Sequence, residues 1–530
     1  MFDLGRTLLQ SIERSPGRTA IVDGPRRFTY AQWAQMVGAV QRGLAAAGLR
    51  HGDHLLVVLQ NRWEMAALHW ACQFAGIVVT PLNWRAKADE IDHCLSDSQA
   101  RAVVWEGVAD AAMAHSKHAA RVLRIGVGEV NALGGTQLQL EDWLADATSG
   151  GAEPLPLATA EDLSLMLYTS GTTGKTKGVP RRHRTERAAA LAHVAQNRYG
   201  DGECTLGVMP LYHTMGVRSL LALALVDGCV VCMPRFDAQQ ALAAIAAERV
   251  SHLYLVPTLY HDLLAHPDFA ATDITSVTKL GFAGAPMHDA LLQRLQAAFR
   301  PELFVNHYGS SEIYTFSINQ RAVAKPGSAG RAGLNTRLRV VTLDTTDPMR
   351  LAAPGEEGQI IADLAGDEAF EGYHRRPDAD AKSLHGGWYF TGDMGYVDGD
   401  GDLYVTGRVD DMIISGGENI SPVDIESVLS LHPAVDEVAV AGLPDPRWGQ
   451  KVVAFVKLHA SADANADADA AVDATMLDAH CRSSDLVNFK RPRDYVFVRE
   501  IPKSPVGKVL RRKLQAGDYE AAPFAPISKG

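Results

Sequence analysis

The stretch Tyr168-Thr-Ser-Gly-Thr-Thr-Gly-Lys-Thr-Lys177-Gly178 is the most informative part of this 530-residue chain. It combines Ser and Thr hydroxyls, glycines and two lysines, directly after the apolar run Leu163–Leu167. Glycines let a backbone approach a ligand closely, and hydroxyls, backbone N–H groups and lysine then face anionic oxygens. The stretch lacks the Gly-x-x-x-x-Gly-Lys-Ser/Thr spacing of a Walker motif. It predicts a loop that holds a polyphosphate, with a flexible surface loop as the alternative.

The bulk composition is that of a soluble protein with more than one domain. A formal net charge of −11 argues against a general nucleic-acid binder, which would show a basic stripe. No apolar run reaches the roughly 20 residues that a membrane helix needs, and the start Met1–Arg6 lacks a signal-peptide layout. Six cysteines do not make a disulfide framework in so long a chain. We therefore expect a cytoplasmic protein without a membrane span.

The pair Cys229-Val-Val-Cys232 has redox or metal-binding spacing, but it lies in an apolar run with no second cysteine pair nearby. Free cysteine behaves as a small hydrophobic residue. We interpret the pair as buried strand cysteines.

The first part of the chain alternates helical and strand-like segments, which predicts α/β layers with largely parallel sheets. Thr29–Gly48 has helical periodicity and precedes the apolar strand His54–Leu59. The unit recurs where Ala238–Arg249 is followed by His252–Val256. Ligands in such sheets lie at the carboxyl ends of strands. Three motifs that follow strand-like runs are therefore expected to converge on one cleft: the phosphate loop, Gly281–Pro286 and Asn306–Glu312.

From about Gly330 to Arg408 the pattern changes to short alternating strands separated by Gly and Asp turns, which predicts a small antiparallel β unit. The segment after it, about 120 residues, is long enough for a second domain. An Ala/Asp tract at 460–474 is predicted to be a solvated loop or a frayed helix end, and we assign it no function.

Six motifs in order give a resemblance to a known family. They are Tyr168–Gly178, Pro210–His213, Gly281–Pro286, Tyr308–Glu312, Tyr389–Asp393 with Gly407-Arg408, and Pro502–Lys508. With them the chain resembles the acyl-adenylate-forming enzymes: acyl-CoA synthetases, firefly-type luciferases and peptide-synthetase adenylation domains. Within that family it is most similar to aryl-CoA ligases of the 4-chlorobenzoate type. That likeness is clearest in Arg408–Ile420, Arg447–Gln450, Cys481–Ser484 and Phe489–Pro492.

The resemblance implies a large N-terminal domain of two α/β subdomains plus a small β barrel, hinged to a small C-terminal α+β domain. The implied boundaries are 1–409 and 410–530, with Asp410 as the hinge residue. Members of the family rotate the small domain between their two half-reactions, so a hinge residue must absorb a large backbone change.

The implied reaction is an ATP-dependent carboxylate–CoA ligation. An acyl-AMP intermediate forms first, and CoA then takes the acyl group as a thioester, with AMP and pyrophosphate as the other products. In-line displacement at the α-phosphorus depends on positioning and charge neutralisation. The implied cofactors are ATP, Mg²⁺ and coenzyme A, and the implied partner is a small-molecule carboxylate, with no nucleic acid. The acid, the oligomeric state (a homodimer among the options) and the domain orientation are left open.

The resemblance assigns the nucleotide site residue by residue. Lys508 is the expected adenylation lysine, because it would hold the carboxylate and the α-phosphate together; a solvated lysine in a basic tail is the alternative. Glu312 is the expected Mg²⁺ ligand, with a plain surface carboxylate as the alternative. Asp393 with Arg408 is expected at the ribose, and Asp393 as a turn residue is the alternative. The remaining expected ATP or AMP contacts are Thr169, Ser170, Gly171, Thr172, Thr173, Gly174, Lys177, Gly284, Ala285, Pro286, Tyr308, Gly309, Ser310 and Ser311.

The acyl and thiol sites are assigned in the same way. His213 is expected to be a catalytic wall of the acyl pocket, with a plain core histidine as the alternative. The pocket is lined further by Thr214, Met215, Ala283, His307, Gly309, Tyr314 and Thr315. CoA is expected to meet Ser415, Gly416, Gly417, Trp448 and Arg491. Charge alone suggests that Arg181, Arg182 and Arg184 extend a basic funnel for CoA, with a solvated charged face as the alternative. Thr176 stands where the family usually has proline, which predicts a looser phosphate loop.

His307 and Tyr314 place polar groups where a purely apolar pocket would suit an alkyl chain. Buried polar groups discriminate strongly between substrates. We therefore expect an aryl, heteroaryl or alicyclic carboxylate, carrying a ring heteroatom or a hydroxyl. The alternatives are a medium-chain fatty acyl-CoA synthetase, adenylation with transfer to a carrier protein, luciferase-type oxidation, and a nucleotide-binding regulator without turnover.

Overall fold

The computed structural model describes residues 2–131, 137–145, 152–169, 176–459, 472–503 and 509–522. The chain divides into two compact units. Unit 1 comprises Met1–Ala283, Leu291–Leu338 and Ala362–Tyr389, and unit 2 comprises Gly284–Ala290, Arg339–Ile361 and Phe390–Gly530. A large α/β unit and a smaller unit that contains the C-terminal segment confirm the predicted fold class. The boundary at Asp410 stays a prediction.

The α-helices of the described residues are numbered in chain order. They are α1 (Leu4–Arg14), α2 (Tyr30–Ala46), α3 (Trp63–Ala75), α4 (Ala88–Ser98), α5 (Asp110–His115), α6 (Leu140–Ala145), α7 (His183–Asn197), α8 (Thr214–Leu225), α9 (Ala238–Glu248), α10 (Pro257–Ala265), α11 (Asp289–Phe299), α12 (Pro377–Ser383), α13 (Pro422–Leu429), α14 (Ala474–Ser483) and α15 (Arg511–Gln515). Short 3-10 turns cover Gly107–Ala109, Ala119–Arg121, Pro267–Ala271, Val409–Asp411 and Asn488–Lys490.

The β-strands of the described residues are numbered in the same way. They are β1 (Thr19–Asp23), β2 (Arg26–Thr29), β3 (His54–Val58), β4 (Val78–Pro81), β5 (Ala102–Glu106), β6 (Leu123–Val127), β7 (Gln137–Gln139), β8 (Leu163–Thr169), β9 (Lys177–Arg182), β10 (Cys204–Gly207), β11 (Cys229–Cys232), β12 (His252–Leu255), β13 (Lys279–Phe282), β14 (Leu303–Tyr308), β15 (Ser317–Asn319), β16 (Ser328–Ala332), β17 (Leu338–Val341), β18 (Gly358–Asp363), β19 (Leu384–His385), β20 (Trp388–Val397), β21 (Leu403–Arg408), β22 (Ile413–Ser415), β23 (Glu418–Ile420), β24 (Val435–Asp445), β25 (Gly449–Leu458) and β26 (Asp494–Phe497).

Unit 1 contains two sheets whose central strands run parallel, as the helix–strand alternation predicts. The first has the order β7-β6-β5-β3-β4-β8-β9 and ends in the antiparallel hairpin β8–β9. The second has the order β16-β15-β14-β13-β12-β10-β11-β1-β2 and is parallel from β14 through β1. The carboxyl ends of β13 and β14 therefore meet at one edge, where the motifs after both strands begin.

Local sequence explains where several helices start and what they bury. Thr29 caps α2 by a reciprocal capping box with Gln32, and Asp237 caps α9. All thirteen residues of α3 are buried, because the helix packs on α1 and α2 and contacts β4 of the first sheet and β1 of the second. An element covered on all sides favours an apolar composition, and all residues of α3 except Glu64, His69 and Gln73 are apolar. Trp33 of α2, Trp70 of α3 and Leu220 of α8 belong to the same apolar cluster.

Unit 2 carries a smaller sheet in the C-terminal segment, with the order β23-β22-β25-β24 and β26 paired in parallel with β25. The long hairpin β24–β25 runs from Val435 opposite Leu458 to Asp445 opposite Gly449. Helices α13 and α14 cover one apolar face of this sheet, around Ile425 and Leu477. This arrangement is the α+β pattern expected for the C-terminal part.

Most predicted elements form within a few residues of their predicted bounds. The predicted helix Thr29–Gly48 forms as α2, and the predicted strand His252–Val256 forms as β12. Cys229 and Cys232 lie in strand β11, as predicted, but both are only half-buried, because the side chains of Val230 and Val231 take the buried positions. The part of the Ala/Asp tract from 460 to 471 lies outside the described residues. Within the described ranges, no helix is both long and apolar enough to cross a bilayer.

His69 provides a test of the core through the pH dependence of stability. It lies fully buried in α3, neither ring nitrogen has a hydrogen-bond partner among the described residues, and burial lowers its pKa from 6.5 to about 3. Below pH 6.5 the unfolded chain takes up a proton that the folded chain refuses, so the free energy of unfolding falls as the pH falls. The free energy of unfolding of the parent protein should fall between pH 7.5 and 5.5, and in His69→Leu we expect this fall to be smaller by about 1 kcal/mol.

The measurement is chemical or thermal unfolding of both proteins at the two pH values. His261→Leu serves as the control, because His261 is exposed on α10 and its loss should leave the pH difference unchanged. Equal pH sensitivity of His69→Leu and the parent protein would contradict the expectation.

Candidate active site

The phosphate-loop motif lies in the hairpin between β8 and β9. Thr169 ends β8 and is paired in register with Lys177, the first residue of β9. Ser170, Gly171, Thr172, Thr173 and Gly174 lie outside the described residues, so their predicted phosphate contacts stay predictions. The carbonyl of Thr176, the position that departs from the family pattern, lies 3.0 Å from Nε2 of His93. Thr176 is therefore tied to helix α4 at that point.

Within unit 1, Tyr373 contacts both Lys177, at the end of the phosphate loop, and Glu312, the expected Mg²⁺ ligand. Its ring centre lies 3.9 Å from Nζ of Lys177, and its hydroxyl donates to Oε1 of Glu312 at 2.7 Å. Burial, followed by the neighbouring Glu312, raises the pKa of Tyr373, so the phenol stays protonated and remains a donor. Tyr373 was not predicted from the sequence, because it lies outside the six motifs and the residues around it do not indicate a role at the site.

Glu312 fits a divalent-cation ligand. It is only 6% exposed, and within the described part of the chain no hydrogen bond reaches its Oε2. Carboxylate oxygen is the donor that Mg²⁺ prefers, so an oriented, half-satisfied carboxylate is suited to hold it. The expectation for Glu312 therefore agrees with its surroundings.

Arg181 holds the turn that carries Glu312. Its guanidinium donates to the backbone carbonyls of Glu312 at 2.9 Å and Glu368 at 2.7 Å, and its Nε donates to Glu186 at 2.7 Å. Burial opposes its charge, but the adjacent Glu186 carboxylate raises the pKa of Arg181, so it stays a cation. Arg181 is therefore a positioning residue for Glu312.

The predicted basic funnel of Arg181, Arg182 and Arg184 is wrong. Arg181 is 1% exposed and cannot present its charge to a ligand at the surface. Arg182 and Arg184 both pair with Glu371, at 2.7 and 2.6 Å. The adjacent acidic residues neutralise this face, which net charge and spacing along the chain could not reveal.

The motif around Tyr308 forms a tight turn after β14. A Cβ on Gly309 would lie 2.1 Å from the carbonyl oxygen of Tyr314, so only glycine fits there. The Ser310 N–H donates to the Ile313 carbonyl at 3.0 Å, and Ser311 is 9% exposed. The Tyr308 ring packs against Phe316 with centroids 5.1 Å apart. The other expected wall of the adenine slot, Gly284 to Pro286, is assigned to unit 2 and stays a prediction.

The residues expected at the acyl pocket come from three neighbouring elements of unit 1. His213 is the N-cap of α8 and accepts from the Met215 N–H, with Thr214 and Met215 in the first turn. Ala283 follows β13 and is 8% exposed, and His307 lies in β14 at 3%. Tyr314 and Thr315 lie between β14 and β15, both buried. His213 itself is half-buried, as a wall residue would be.

A buried polar cluster lies behind these residues, and most of it was not predicted. Arg218 of α8 donates to Oγ1 of Thr315 at 2.6 Å, to the Tyr314 carbonyl at 3.2 Å and to the Tyr254 hydroxyl. His307 contacts Oδ1 of Asn197 at 3.0 Å through Nε2. A lone arginine in the otherwise apolar helix α8 was the sequence signal for this cluster, since a buried cation needs specific partners.

Within unit 2, Asp393 and Arg408 lie opposite each other on the paired strands β20 and β21. Nη1 of Arg408 is 3.1 Å from Oδ1 of Asp393. The structure therefore brings together the two residues expected at the ribose.

The expected thiol path starts at the β22–β23 turn. Gly416 has a φ of 62°, and a Cβ there would come within 2.8 Å of the Trp448 ring. The Gly416 N–H donates to the backbone carbonyl of Trp448. Gly417 follows in the turn, and Ser415 pairs with Gly449. Trp448 is 41% exposed, so its ring is accessible to a ligand. These four residues lie together as expected.

Arg491 does not have the exposure of a surface phosphate ligand. Its side chain is 9% exposed, pairs with Asp478 and donates to Asn488 at 2.8 Å. Contact with CoA phosphates would require it to leave or share these partners. Asp410, the expected hinge, is exposed in the 3-10 turn Val409–Asp411, and its neighbour Asp411 pairs with Arg511 at 3.3 Å. Lys508 lies outside the described residues.

Comparison with known proteins agrees with this geometry. The model of the AMP-binding enzyme family matches residues 8–374, and that of the AMP-binding enzyme C-terminal domain matches residues 424–508. A 4-chlorobenzoate–CoA ligase from Arthrobacter is 32% identical over 510 residues, covering 95% of this chain and 93% of the relative. A long-chain-fatty-acid–CoA ligase from Mycobacterium tuberculosis is 32% identical over 529 residues, covering 97% and 98%.

Among solved structures, an anthranilate CoA ligase in complex with anthranoyl-AMP matches with a TM-score of 0.87 and 25% identity, covering 97% of each chain. The family models cover most of the chain, and the relatives match it nearly from end to end. The chain therefore belongs to the AMP-binding enzyme family, among its ATP-dependent acyl-CoA ligases.

Proposed function

We propose that this acyl-CoA ligase activates an aryl, heteroaryl or alicyclic carboxylate. The observation that carries the proposal is the chemistry around the expected acyl pocket, where His307, Thr315 and Arg218 are each no more than 3% exposed. Nδ1 of His307 and Nε of Arg218 have no hydrogen-bond partner among the described residues, and an alkyl chain would leave both unpaired at a cost of about 1–3 kcal/mol each. A ring that carries polar atoms would pair them. The 4-chlorobenzoate and anthranilate relatives act on ring carboxylates, which supports the same substrate class.

The first half-reaction needs the carboxylate and ATP held together. Mg²⁺, when bound at Glu312, supplies charge neutralisation for the polyphosphate. Tyr373 orients Glu312 through its hydroxyl and contacts the side chain of Lys177, while Arg181 fixes the Glu312 backbone. The carboxylate oxygen attacks the α-phosphorus, pyrophosphate leaves, and acyl-AMP forms. We assign the stabilisation of developing charge to Lys508.

The second half-reaction transfers the acyl group from AMP to the thiol of CoA. We assign the thiol path to Ser415, Gly416, Gly417 and Trp448, and the rotation between steps to a hinge at Asp410. The Gly416–Trp448 contact supports this assignment, because it leaves a narrow turn beside an accessible ring. The six cysteines are free thiols, which supports the cytoplasm as the compartment.

The proposed reaction predicts which products form and which substrates each product requires. Enzyme with ATP, Mg²⁺, CoA and a ring carboxylate should form AMP and pyrophosphate in proportion to thioester, and omission of the acid should stop AMP formation. Without CoA, AMP should accumulate only as bound adenylate. Quantifying AMP, ADP and acyl-CoA by chromatography tests this, and ADP with phosphate as products would contradict it. Highest activity on fatty acids would contradict the proposal of a ring carboxylate as substrate, but it would still be consistent with an AMP-forming acyl-CoA ligase.

Lys508 should act in one half-reaction only. We expect Lys508→Ala to slow adenylation by at least about 10²-fold, the scale of losing one preorganised electrostatic donor. Thioester formation from preformed acyl-adenylate should barely change. Lys503→Ala is the control, since Lys503 is a lysine of the same segment that pairs with Glu437 at 2.6 Å. Comparable losses in both half-reactions for Lys508→Ala would refute the assignment.

Tyr373 should control how Glu312 holds Mg²⁺. Tyr373→Phe removes the hydroxyl that orients the carboxylate but keeps the ring beside Lys177. We expect the Mg²⁺ concentration for half-maximal adenylation to rise about tenfold, the effect of losing one hydrogen bond to a charged group. Tyr396→Phe, on a ring stacked against Tyr404 at 5.2 Å, should leave it unchanged. An unaltered Mg²⁺ requirement in Tyr373→Phe would show that the contact is only structural.

A further inference from the structure

The buried cluster behind the expected acyl pocket has a definite arrangement of protons. Nδ2 of Asn197 donates to the carbonyl of His193 at 2.8 Å, which fixes Oδ1 of the amide as an acceptor. Nε2 of His307 lies 3.0 Å from this Oδ1 and must therefore carry its proton. Burial, followed by the charge of Arg218, lowers the pKa of His307 well below its usual range, so the ring is neutral. Its Nδ1 is then a bare acceptor.

That acceptor is unused. Nδ1 of His307 has no hydrogen-bond partner among the described residues, although His307 is only 3% exposed. The same amide of Asn197 also donates to Nδ1 of His193 at 2.9 Å, so both imidazoles are held with the proton on Nε2. The ring centres of His193 and His307 are 5.2 Å apart. The network thus fixes the direction of the His307 lone pair without satisfying it.

Unused donors lie on the other side of the same cluster. The Tyr254 hydroxyl accepts from Nη2 of Arg218, so its own hydrogen must point elsewhere, and no acceptor for it is found in the described part of the chain. Nε of Arg218 also lacks a partner among those residues. The rings of Tyr254 and His307 meet edge to face with centroids 5.0 Å apart. One acceptor and two donors are therefore left over around a single pair of touching rings.

These leftover groups adjoin residues expected to line the acyl pocket. Arg218 lies on α8, one turn beyond Thr214, and donates to the Tyr314 carbonyl and the Thr315 hydroxyl. His307 is itself an expected pocket residue. Leaving such groups unpaired in a buried site is destabilising. A single substrate atom that both accepts and donates, as a hydroxyl oxygen does, would satisfy both kinds of group.

We propose that the distal end of the acyl pocket recognises a ring hydroxyl, so that the substrate is a hydroxylated aryl carboxylate. This rests on the proposed function and narrows it. The hydroxyl oxygen accepts from Tyr254 and Arg218, and its hydrogen is donated to Nδ1 of His307. Arg218, Tyr254 and His307 are then specificity residues that contact the substrate, in addition to the residues that carry out adenylation.

The same donors and acceptor disfavour other substituents. A second carboxylate offers only lone pairs and would place one against the lone pair of His307. An ammonium group would face the guanidinium of Arg218 in a buried site. A methyl or chloro group would leave all three protein groups unpaired. A site built to bond a hydroxyl rejects analogues that lack it more strongly than an apolar pocket rejects an added hydroxyl.

The test uses acids matched in shape: a hydroxylated aryl carboxylate and its analogues with methyl, methoxy, carboxylate or hydrogen in place of the hydroxyl. With the wild-type enzyme, kcat/KM for acid-dependent AMP formation should be at least about 10²-fold higher for the hydroxyl acid than for the methyl analogue. The methoxy analogue, which accepts but cannot donate, should fall between them. A hydroxyl-to-methyl ratio near one overturns this inference while AMP formation upholds the ligase. Absence of AMP with every acid overturns both.

Variants then locate the recognition. Tyr254→Phe should lower the hydroxyl-to-methyl ratio about tenfold by removing one donor, and Arg218→Met should lower it further. Tyr260→Phe is the matched control. Its hydroxyl is equally buried but bonds the Leu253 and Gly281 carbonyls, so its loss should lower thermal stability and leave the ratio unchanged. A ratio unaltered in Tyr254→Phe overturns the assignment. If either variant fails to fold, the wild-type ratios decide.

Discussion

The buried guanidinium of Arg181 is the interaction on which the site in unit 1 depends. One side chain bonds Glu186 and the backbone carbonyls of Glu312 and Glu368, and it stacks on the ring of Tyr314. It therefore ties strand β9, which begins at the phosphate loop, to the turn that carries the expected Mg²⁺ ligand. A buried cation is costly unless it is well engaged, so this position tolerates few alternatives.

A second constraint is the polarity of the core beside the acyl pocket. His193, Asn197, Tyr254, Arg218 and His307 are all nearly inaccessible to water, where an apolar core would be simpler to satisfy. The hydrogen bonds within this cluster pair most of its donors and acceptors. Nδ1 of His307 and Nε of Arg218 are left without a partner among the described residues. Such a partly satisfied network reduces stability in the free enzyme. In the complex that we propose, the substrate completes the network, and the same groups then provide discrimination.

The fold could be predicted from the sequence to a large extent, because helix and strand periods are local. Trp63 to Ala75 is mostly apolar and forms the fully buried helix α3. Val435–Ala441 and Val452–Leu458 are rich in valine, as strands are, and lie within the two strands of a hairpin. The phosphate loop was recognisable from its own composition of glycines, hydroxyls and lysines. The turn after Tyr308 and the Asp393–Arg408 pair were recognisable through the resemblance to the family, which depends on short local motifs.

Tertiary structure alone decided which groups meet across distant segments. Tyr373 lies 61 residues from Glu312 in the chain, and no pattern around it indicates that its hydroxyl reaches that carboxylate. Arg181 was predicted to be part of a basic surface. It is instead buried and hydrogen-bonded to Glu186, Glu312 and Glu368, which lie in separate elements. The sequence by itself determined the chemistry of the reaction through residues that recur in local motifs. The residues to which we assign the choice of substrate, Arg218, Tyr254 and His307, come from α8, β12 and β14. They meet only in the folded chain, since contacts between elements are not encoded in local spacing.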